Sequence, residues 1–190
     1  MIKCLIILLI WTYGTNAQVP GLGHCPKINS VQTNFDLNKY LGKWYEAEKY
    51  FSFFEIGGRC NSATYSLNED GTVKVFNEEL NSITGSQTSI EGVARFAGAA
   101  KDAKLLVRFP SVPVQFGEVP YWILETDYDS YAVIWSCTEL PIISTKFAWI
   151  LTREQNPSPE VLQKAYGVFD RFNLDKGALE KTDHKDCPKN

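Results

Sequence analysis

Between residues 43 and 152 the chain breaks into short runs rich in Val, Ile, Thr, Tyr, Phe and Trp, separated by turn chemistry at spacings of about 8 to 14 residues. That rhythm leaves little room for anything but an all-β fold. It predicts eight strands, over residues 44–50, 61–67, 72–79, 88–96, 103–109, 121–127, 131–137 and 146–152. Asn68-Glu69-Asp70-Gly71 supplies a glycine where a hairpin needs positive φ, and Asp127-Tyr128-Asp129-Ser130 is a second tight connection, so neighbouring strands should pair antiparallel. An eight-stranded up-and-down meander without a long crossover can close into a β-barrel, which removes exposed edges and leaves room for side chains or one small ligand.

After the strands comes NPSPEVLQKAYGVFDRF, residues 156–172. Ser158 is a candidate N-cap, Pro159 sits at the first helical position and Glu160 falls in the first turn. Val161, Ala165, Val168 and Phe172 recur at helical spacing, with Leu162 and Phe169 beside them. The segment reads as a C-terminal α-helix laying one apolar stripe on the outside of the barrel.

Of the 190 residues, 44% are hydrophobic and 13% aromatic, enough for one sizeable core and one domain over residues 18–190. Residues 1–17 hold Lys3, an apolar run from Cys4 to Trp11, and small residues at Thr15 and Ala17, the pattern of a secretory signal peptide. The run is too short to span a bilayer, and no later segment reaches about 20 apolar residues. A secreted, extracellular protein is expected, released rather than tethered, because the C-terminus is polar. Loss of Lys3 takes the formal charge from −3 to −4, which argues against a nucleic-acid partner. Cleavage also leaves four cysteines, Cys25, Cys60, Cys137 and Cys187, an even number suited to two disulfides in an oxidising compartment. Three pairings are possible, and no Asn-x-Ser/Thr glycan acceptor is present.

Catalytic motifs are missing. The only histidines are His24, near the mature N-terminus, and His184, in the polar tail. There is no Gly-x-Ser-x-Gly elbow, His-Glu-x-x-His helix, phosphate loop or dinucleotide fingerprint. The expectation is no enzyme, no metal and no cofactor beyond a carried ligand. Cys137, ending a strand, would be a nucleophile only if it were free.

Gly42-Lys43-Trp44-Tyr45, Thr126-Asp127-Tyr128 and Arg153 closing FAWILTR occur in the order of the three lipocalin signatures, and the chain resembles that family. NFDLNKYLGKWYE, GRCNSATYSL, PYWILETDY, YAVIWSCT and the terminal Asp186-Cys187-Pro188 are similar to its apolipoprotein D and insect Lazarillo-type branch over roughly residues 24–189. The resemblance implies a calyx open at one end, carrying a small hydrophobic molecule. It also implies the pairs Cys25 with Cys137 and Cys60 with Cys187, and Gly42, Trp44 and Arg153 at the closed end. Two departures stand out: Thr64 occupies a position where relatives carry a glycosylation asparagine, and the loop FPSVPVQFGEVP, residues 109–120, is worded differently while staying apolar and proline-rich.

Strand alternation extends these directions, since residues two apart share a face. With Arg153 inward, Leu151, Trp149 and Phe147 form an apolar wall rising to the mouth. Ala63, Tyr65 and Leu67 group on one strand, and Val73, Val75 and Asn77 on the next. The resemblance favours Tyr65, Asn77, Trp149 and Leu151 as lining residues, and Trp122 is placed inside with Leu124 and Thr126. Alternation alone fits a solid core as well as a pocket. Glu46, Glu48 and Tyr50 share the parity of Trp44, a costly placement for acids. Either a bulge or emergence at the mouth turns them outward, or one glutamate meets a polar ligand group or a buried Lys or Arg.

These observations imply a monomeric or weakly associating carrier of a fatty acid, steroid, retinoid or bilin pigment. The alternatives are a lipocalin-type isomerase using a free thiol, and a protein that contacts a membrane or lipoprotein surface through the apolar loop 109–120.

Overall fold

A computed structural model describes residues 20–52, 56–98, 102–111, 117–139, 141 and 143–188. The segment read as a signal peptide and residues 112–116 of the apolar loop lie outside them.

Eight antiparallel strands form a meander: β2 (Gly42–Tyr50), β3 (Gly58–Leu67), β4 (Val73–Asn81), β5 (Gln87–Phe96), β6 (Lys104–Arg108), β7 (Val119–Thr126), β8 (Tyr131–Glu139) and β9 (Ile143–Thr152). Each pairs with its sequence neighbour, and β9 pairs back onto β2 through Tyr45↔Thr152 and Glu46↔Leu151, closing the barrel. Two short strands escaped the sequence reading. β1 (Pro20–Leu22) pairs with β9, and β10 (Leu179–Lys181) pairs with the upper half of β2. Both are three residues long, too short for a period-two pattern to register. One helical turn, α1 (Leu37–Tyr40), precedes β2; the Asp36 side chain caps it by accepting from the Lys39 N–H.

α2 (Pro159–Arg171) begins where the sequence placed it, with Ser158 accepting from the Val161 N–H. It buries Ala165, Val168 and Phe169 against Ala47, Leu124, Tyr131, Val133, Trp135, Ala148 and Ile150 on the outside of the barrel. A second cluster fills the lower interior with Trp44, Ala63, Tyr65, Val73, Val75, Leu105, Val107, Ile123, Ile134 and Leu151. Registered pairs such as Ala132↔Leu151 and Ile134↔Trp149 join inward residues, while Val133↔Ile150 and Trp122↔Trp135 join outward ones. The wall is thus one sheet with two apolar faces, one turned to the interior and one to α2.

Disulfides Cys25–Cys137 and Cys60–Cys187 tie the N-terminal arm and the C-terminal tail to the barrel, with Cα separations of 6.0 and 5.7 Å. Between β2 and β3 the pairing stops at Tyr45↔Ser62, and the tail enters the gap above. There the Thr182 N–H bonds the Ala47 carbonyl at 3.1 Å and the Cys60 N–H bonds the Asp183 carbonyl at 2.9 Å. The tail therefore completes the hydrogen bonding that upper β2 and β3 cannot give each other.

Candidate functional site

One end of the barrel is shut by segments far apart in sequence. Trp44 is fully buried and donates its indole N–H to the Tyr40 carbonyl at 2.8 Å. The Arg153 guanidinium lies over that indole and donates to the carbonyls of Lys39, Leu41, Lys43 and Tyr128 at 2.8 to 3.0 Å, with a longer bond to Tyr40. Gly42 has φ +93°, a conformation that only glycine adopts without strain, while a Cβ there would meet Arg153 Nη1 at an ordinary contact distance of 3.4 Å. The Tyr128 carbonyl is aimed by its own turn. Asp127 accepts from the N–H groups of Ser130 and Tyr131, and Thr126 Oγ accepts from the Tyr128 N–H while donating to the Tyr131 carbonyl. The three signature motifs are one hydrogen-bonded closure. Burial draws the Arg153 pKa down from its usual value, although Tyr40 and Asp129 oppose this.

Just above, the Tyr121 hydroxyl sits 2.8 Å from that of Tyr40 and 2.7 Å from that of Tyr65. Burial pushes all three phenols up, Tyr65 to about 12, so they stay protonated at neutral pH.

Toward the open end the wall becomes looser. Leu151 is buried, whereas Trp149 and Phe147, stacked at 5.7 Å with 14° between ring planes, remain partly accessible. Their register partners are Ile134 and Ser136 on β8. Phe109, at the start of the apolar loop, packs on Gly92; a Cβ on Gly92 would stand 2.7 Å from the ring, so this residue must be glycine for Phe109 to dock. Val75, the partner of Gly92, and Val107 continue the same inner face.

Trp122 is not in this interior. It packs with the outer cluster under α2, and Lys104 Nζ lies 4.7 Å from its ring centroid. The expected parity from Thr126 fails because β7 carries an irregularity between Ile123 and Glu125. Leu124 and Glu125 both turn outward, the latter to Tyr131 and Arg171, and the face assignment inverts. Tyr121 and Ile123 hold the inward positions instead.

The acids of β2 divide. A register shift between Glu46 and Glu48 against β9 reverses the alternation. Glu48 turns out and accepts from the Tyr166 hydroxyl of α2 at 2.7 Å. Tyr50 likewise packs outward, against Trp135 and Phe169. Glu46 keeps the inward parity of Trp44, only 5% exposed, and pairs with Lys49 at 3.0 Å while accepting from Thr182 Oγ at 2.6 Å. Lys49, opposite Trp149, was brought inward by the same bulge. Both expectations for these acids are met, one by each residue.

Asn77 shares the inward face with Val73 and Val75, and Asn61 lies in the register irregularity of β3 between Arg59 and Ser62. Both Oδ1 atoms are buried and lack a hydrogen-bond partner. Tyr65, Asn77, Phe147, Trp149 and Leu151 thus share the inward face of the barrel, above the closure made by Gly42, Trp44 and Arg153. Tyr40, Tyr121, Lys49 and Thr182 join them unforeseen. Among the described residues no group of His, Cys, Asp and Glu is arranged to hold a metal ion.

Comparison with known proteins agrees with this geometry. A family profile described as a lipocalin-like domain matches residues 35–184. The chain belongs to the lipocalin family. It is 39% identical to apolipoprotein D of Cavia porcellus over 189 residues, 97% of either chain. It is 37% identical to the Lazarillo protein of Schistocerca americana over 154 residues, 79% of this chain and 70% of that one. Insecticyanin of Manduca sexta has the same fold, with TM-score 0.74 over 87% of this lipocalin and 89% of its own chain at 24% identity. The lipocalin calyx is typically a carrier architecture for small hydrophobic ligands rather than a catalytic one, and the inner face described above is apolar.

Proposed function

We propose that this lipocalin is a secreted extracellular carrier that binds one small hydrophobic molecule, of the fatty acid, steroid, retinoid or bilin type, inside its calyx. The observation that carries the proposal is the loosening of the inner wall. Leu151 is buried at the bottom, yet Trp149 and Phe147 on the same face keep accessible surface, which a solid core would have covered. Aromatic walls with a few polar groups are the composition of a ligand pocket. The signal-peptide pattern of residues 1–17 and two disulfides support export. The similarity to apolipoprotein D supports a lipid as cargo. Native mass spectrometry of the mature protein secreted from its own cells tests this: a stoichiometric lipophilic adduct is expected, and an empty barrel from every source and at every lipid load would refute it.

The isomerase alternative needs a free thiol in the calyx, and Cys25, Cys60, Cys137 and Cys187 are all in disulfides. Contact with a membrane or lipoprotein surface has a specific observation in its favour. Ile56 and Ile83 are 65% and 91% exposed at the end of the barrel where loop 109–120 also emerges. An apolar rim around the opening would let the protein load a lipid directly from a bilayer. Co-sedimentation with phosphatidylcholine vesicles, with Ile56 and Ile83 replaced by Ser, tests it: binding that survives both substitutions would remove the rim from the mechanism.

A further inference from the structure

We propose that Cys60–Cys187 is a thiol-exchange site. A dithiol reductant opens it ahead of Cys25–Cys137, with His184 taking the proton of the incoming thiol and Arg59 receiving the departing Cys60 thiolate, and so unlatches the C-terminal tail from the barrel. Nothing in this depends on the identity of a cargo.

The two disulfides differ in what faces their sulfurs. Arg59 Nη1 lies 3.7 Å from Cys60 Sγ and is held there by donating to the Lys185 carbonyl at 2.8 Å. His184 Nδ1 lies 3.9 Å from Cys187 Sγ, and its Nε2 stands 2.7 Å from the Glu46 carbonyl oxygen. A carbonyl only accepts, so Nε2 carries the proton and, in the neutral ring, Nδ1 presents its lone pair on the side of the sulfur. Asp183 commits its carboxylate to the Lys185 N–H at 2.9 Å. At Cys25–Cys137, among the described residues, no side-chain nitrogen bonds either sulfur. Lys146 is the register partner of Cys137 without bonding it, and the Glu139 carboxylate accepts from the Cys25 N–H at 2.8 Å. Cys25 and Cys137 are both partly accessible while Cys60 is 8% exposed, so accessibility alone does not favour Cys60–Cys187.

Exchange is attack by a thiolate on one sulfur while the other leaves as a thiolate, and it quickens as the leaving group is stabilised. Cys187, partly accessible, is the sulfur attacked, and buried Cys60 is the one that leaves. The incoming thiol gives its proton to His184 Nδ1 as its sulfur bonds Cys187 Sγ. The disulfide bond breaks, and its electron pair stays on Cys60 beside the guanidinium. The second thiol of the reductant then attacks the reductant's own sulfur in the mixed disulfide and releases Cys187. The dithiol departs as a cyclic disulfide, and its two electrons and two protons end on Cys60 and Cys187. The tail fills a gap that β2 and β3 do not bridge above Tyr45↔Ser62, so freeing it acts on the barrel wall itself.

The test exposes the mature, fully oxidised protein to dithiothreitol, traps it by alkylation at intervals and follows each cysteine by peptide mass spectrometry. Cys60 and Cys187 should be labelled about tenfold faster than Cys25 and Cys137. Arg59→Gln should slow the opening of Cys60–Cys187 about tenfold and leave Cys25–Cys137 within about twofold. His184→Gln should slow the dithiol about fivefold, yet leave opening by a phosphine, which has no proton to lose, within about twofold. Loss of a merely structural contact would loosen the tail and speed opening by both reductants, so the direction of each change separates chemistry from folding. Hydrogen exchange at the Thr182 and Cys60 amides should quicken about tenfold once the bond is open. Equal rates at the two disulfides, Cys25–Cys137 opening first, or Cys60–Cys187 unslowed by Arg59→Gln would overturn the exchange site. A His184→Gln effect shared by the phosphine, or absent with the dithiol, would overturn the role given to the histidine, and amides that stay protected after opening would overturn the unlatching.

Discussion

The guanidinium carbon of Arg153 stands 3.7 Å from the centroid of the Trp44 indole. Trp44 opens the first barrel strand, and Arg153 follows the last, so this contact joins the two ends of the meander just below the β2–β9 seam that closes it. A cation over an aromatic face contributes about 0.5–2 kcal/mol, and the hydrogen bonds from a charged donor to backbone carbonyls add to it.

Arg153→Ala should therefore lower stability by about 3–5 kcal/mol, because it strands the carbonyls of Lys39, Leu41, Lys43 and Tyr128. Arg153→Lys keeps the charge but not the planar fork and should fall between. Urea denaturation reads this as a lowered midpoint at unchanged slope. Gly42→Ala should cost about 1–2 kcal/mol through its positive φ alone.

The two tryptophans that the sequence places inside the barrel, Trp149 and Trp122, separate cleanly by experiment. Trp149→Ala removes part of the inner wall and should weaken binding of a lipophilic ligand by about tenfold or more, in line with about 1.5–3 kcal/mol for a large apolar side chain. Trp122→Ala should leave affinity within twofold and instead lower the melting temperature, since its contacts are to the outer cluster and Lys104. Equilibrium titration and thermal unfolding of the two variants check both halves.

This pair also shows how far the sequence could be read. Strands, helix, closure and much of the inner wall followed from period-two patterning, capping residues and three signature motifs, because each of those signals is local. The failures cluster at irregularities. One at Leu124 inverted Trp122, and another at Ala47 sent Glu48 outward and Lys49 inward. An extra residue in a strand leaves no mark on composition, yet it flips every later side chain. The tail strand β10 was invisible for a different reason. Its place depends on the early parting of β2 from β3 and on Cys60–Cys187, both of which are tertiary facts.

Alkaline pH should expose the buried phenols. Burial raises Tyr65 to about 12 and pushes Tyr40 and Tyr121 up as well, against about 10 in the unfolded chain. The native state then holds protons that the unfolded state releases, so stability is full below pH 10 and falls as the pH rises toward the native values. Each such tyrosine should contribute a slope of about 1.4 kcal/mol per pH unit in that window. Denaturation midpoints measured between pH 9 and pH 11 should drop steeply beyond about 10, and Tyr121→Phe should flatten the slope.

Removing the tail tether should act locally before it acts globally. In the chain-entropy model a loop as long as that closed by Cys60–Cys187 is worth about 5 kcal/mol, an upper figure. Replacing both cysteines with serine should cost about 2–5 kcal/mol. Hydrogen exchange should accelerate first at the Thr182 and Cys60 amides, which bond Ala47 and Asp183 across the gap. Exchange that stays slow there would mean β10 holds its place without the disulfide.

The central claim is a hollow, ligand-binding interior, and the direct measurement is intrinsic tryptophan quenching on titrating the mature protein with retinoid, steroid, fatty acid and bilin ligands. Saturable one-to-one quenching by at least one of them, at micromolar affinity or tighter, is predicted, with Trp149→Ala weakening it and Trp122→Ala leaving it in place. No saturable quenching by any of these classes, or an affinity indifferent to Trp149, would contradict the account.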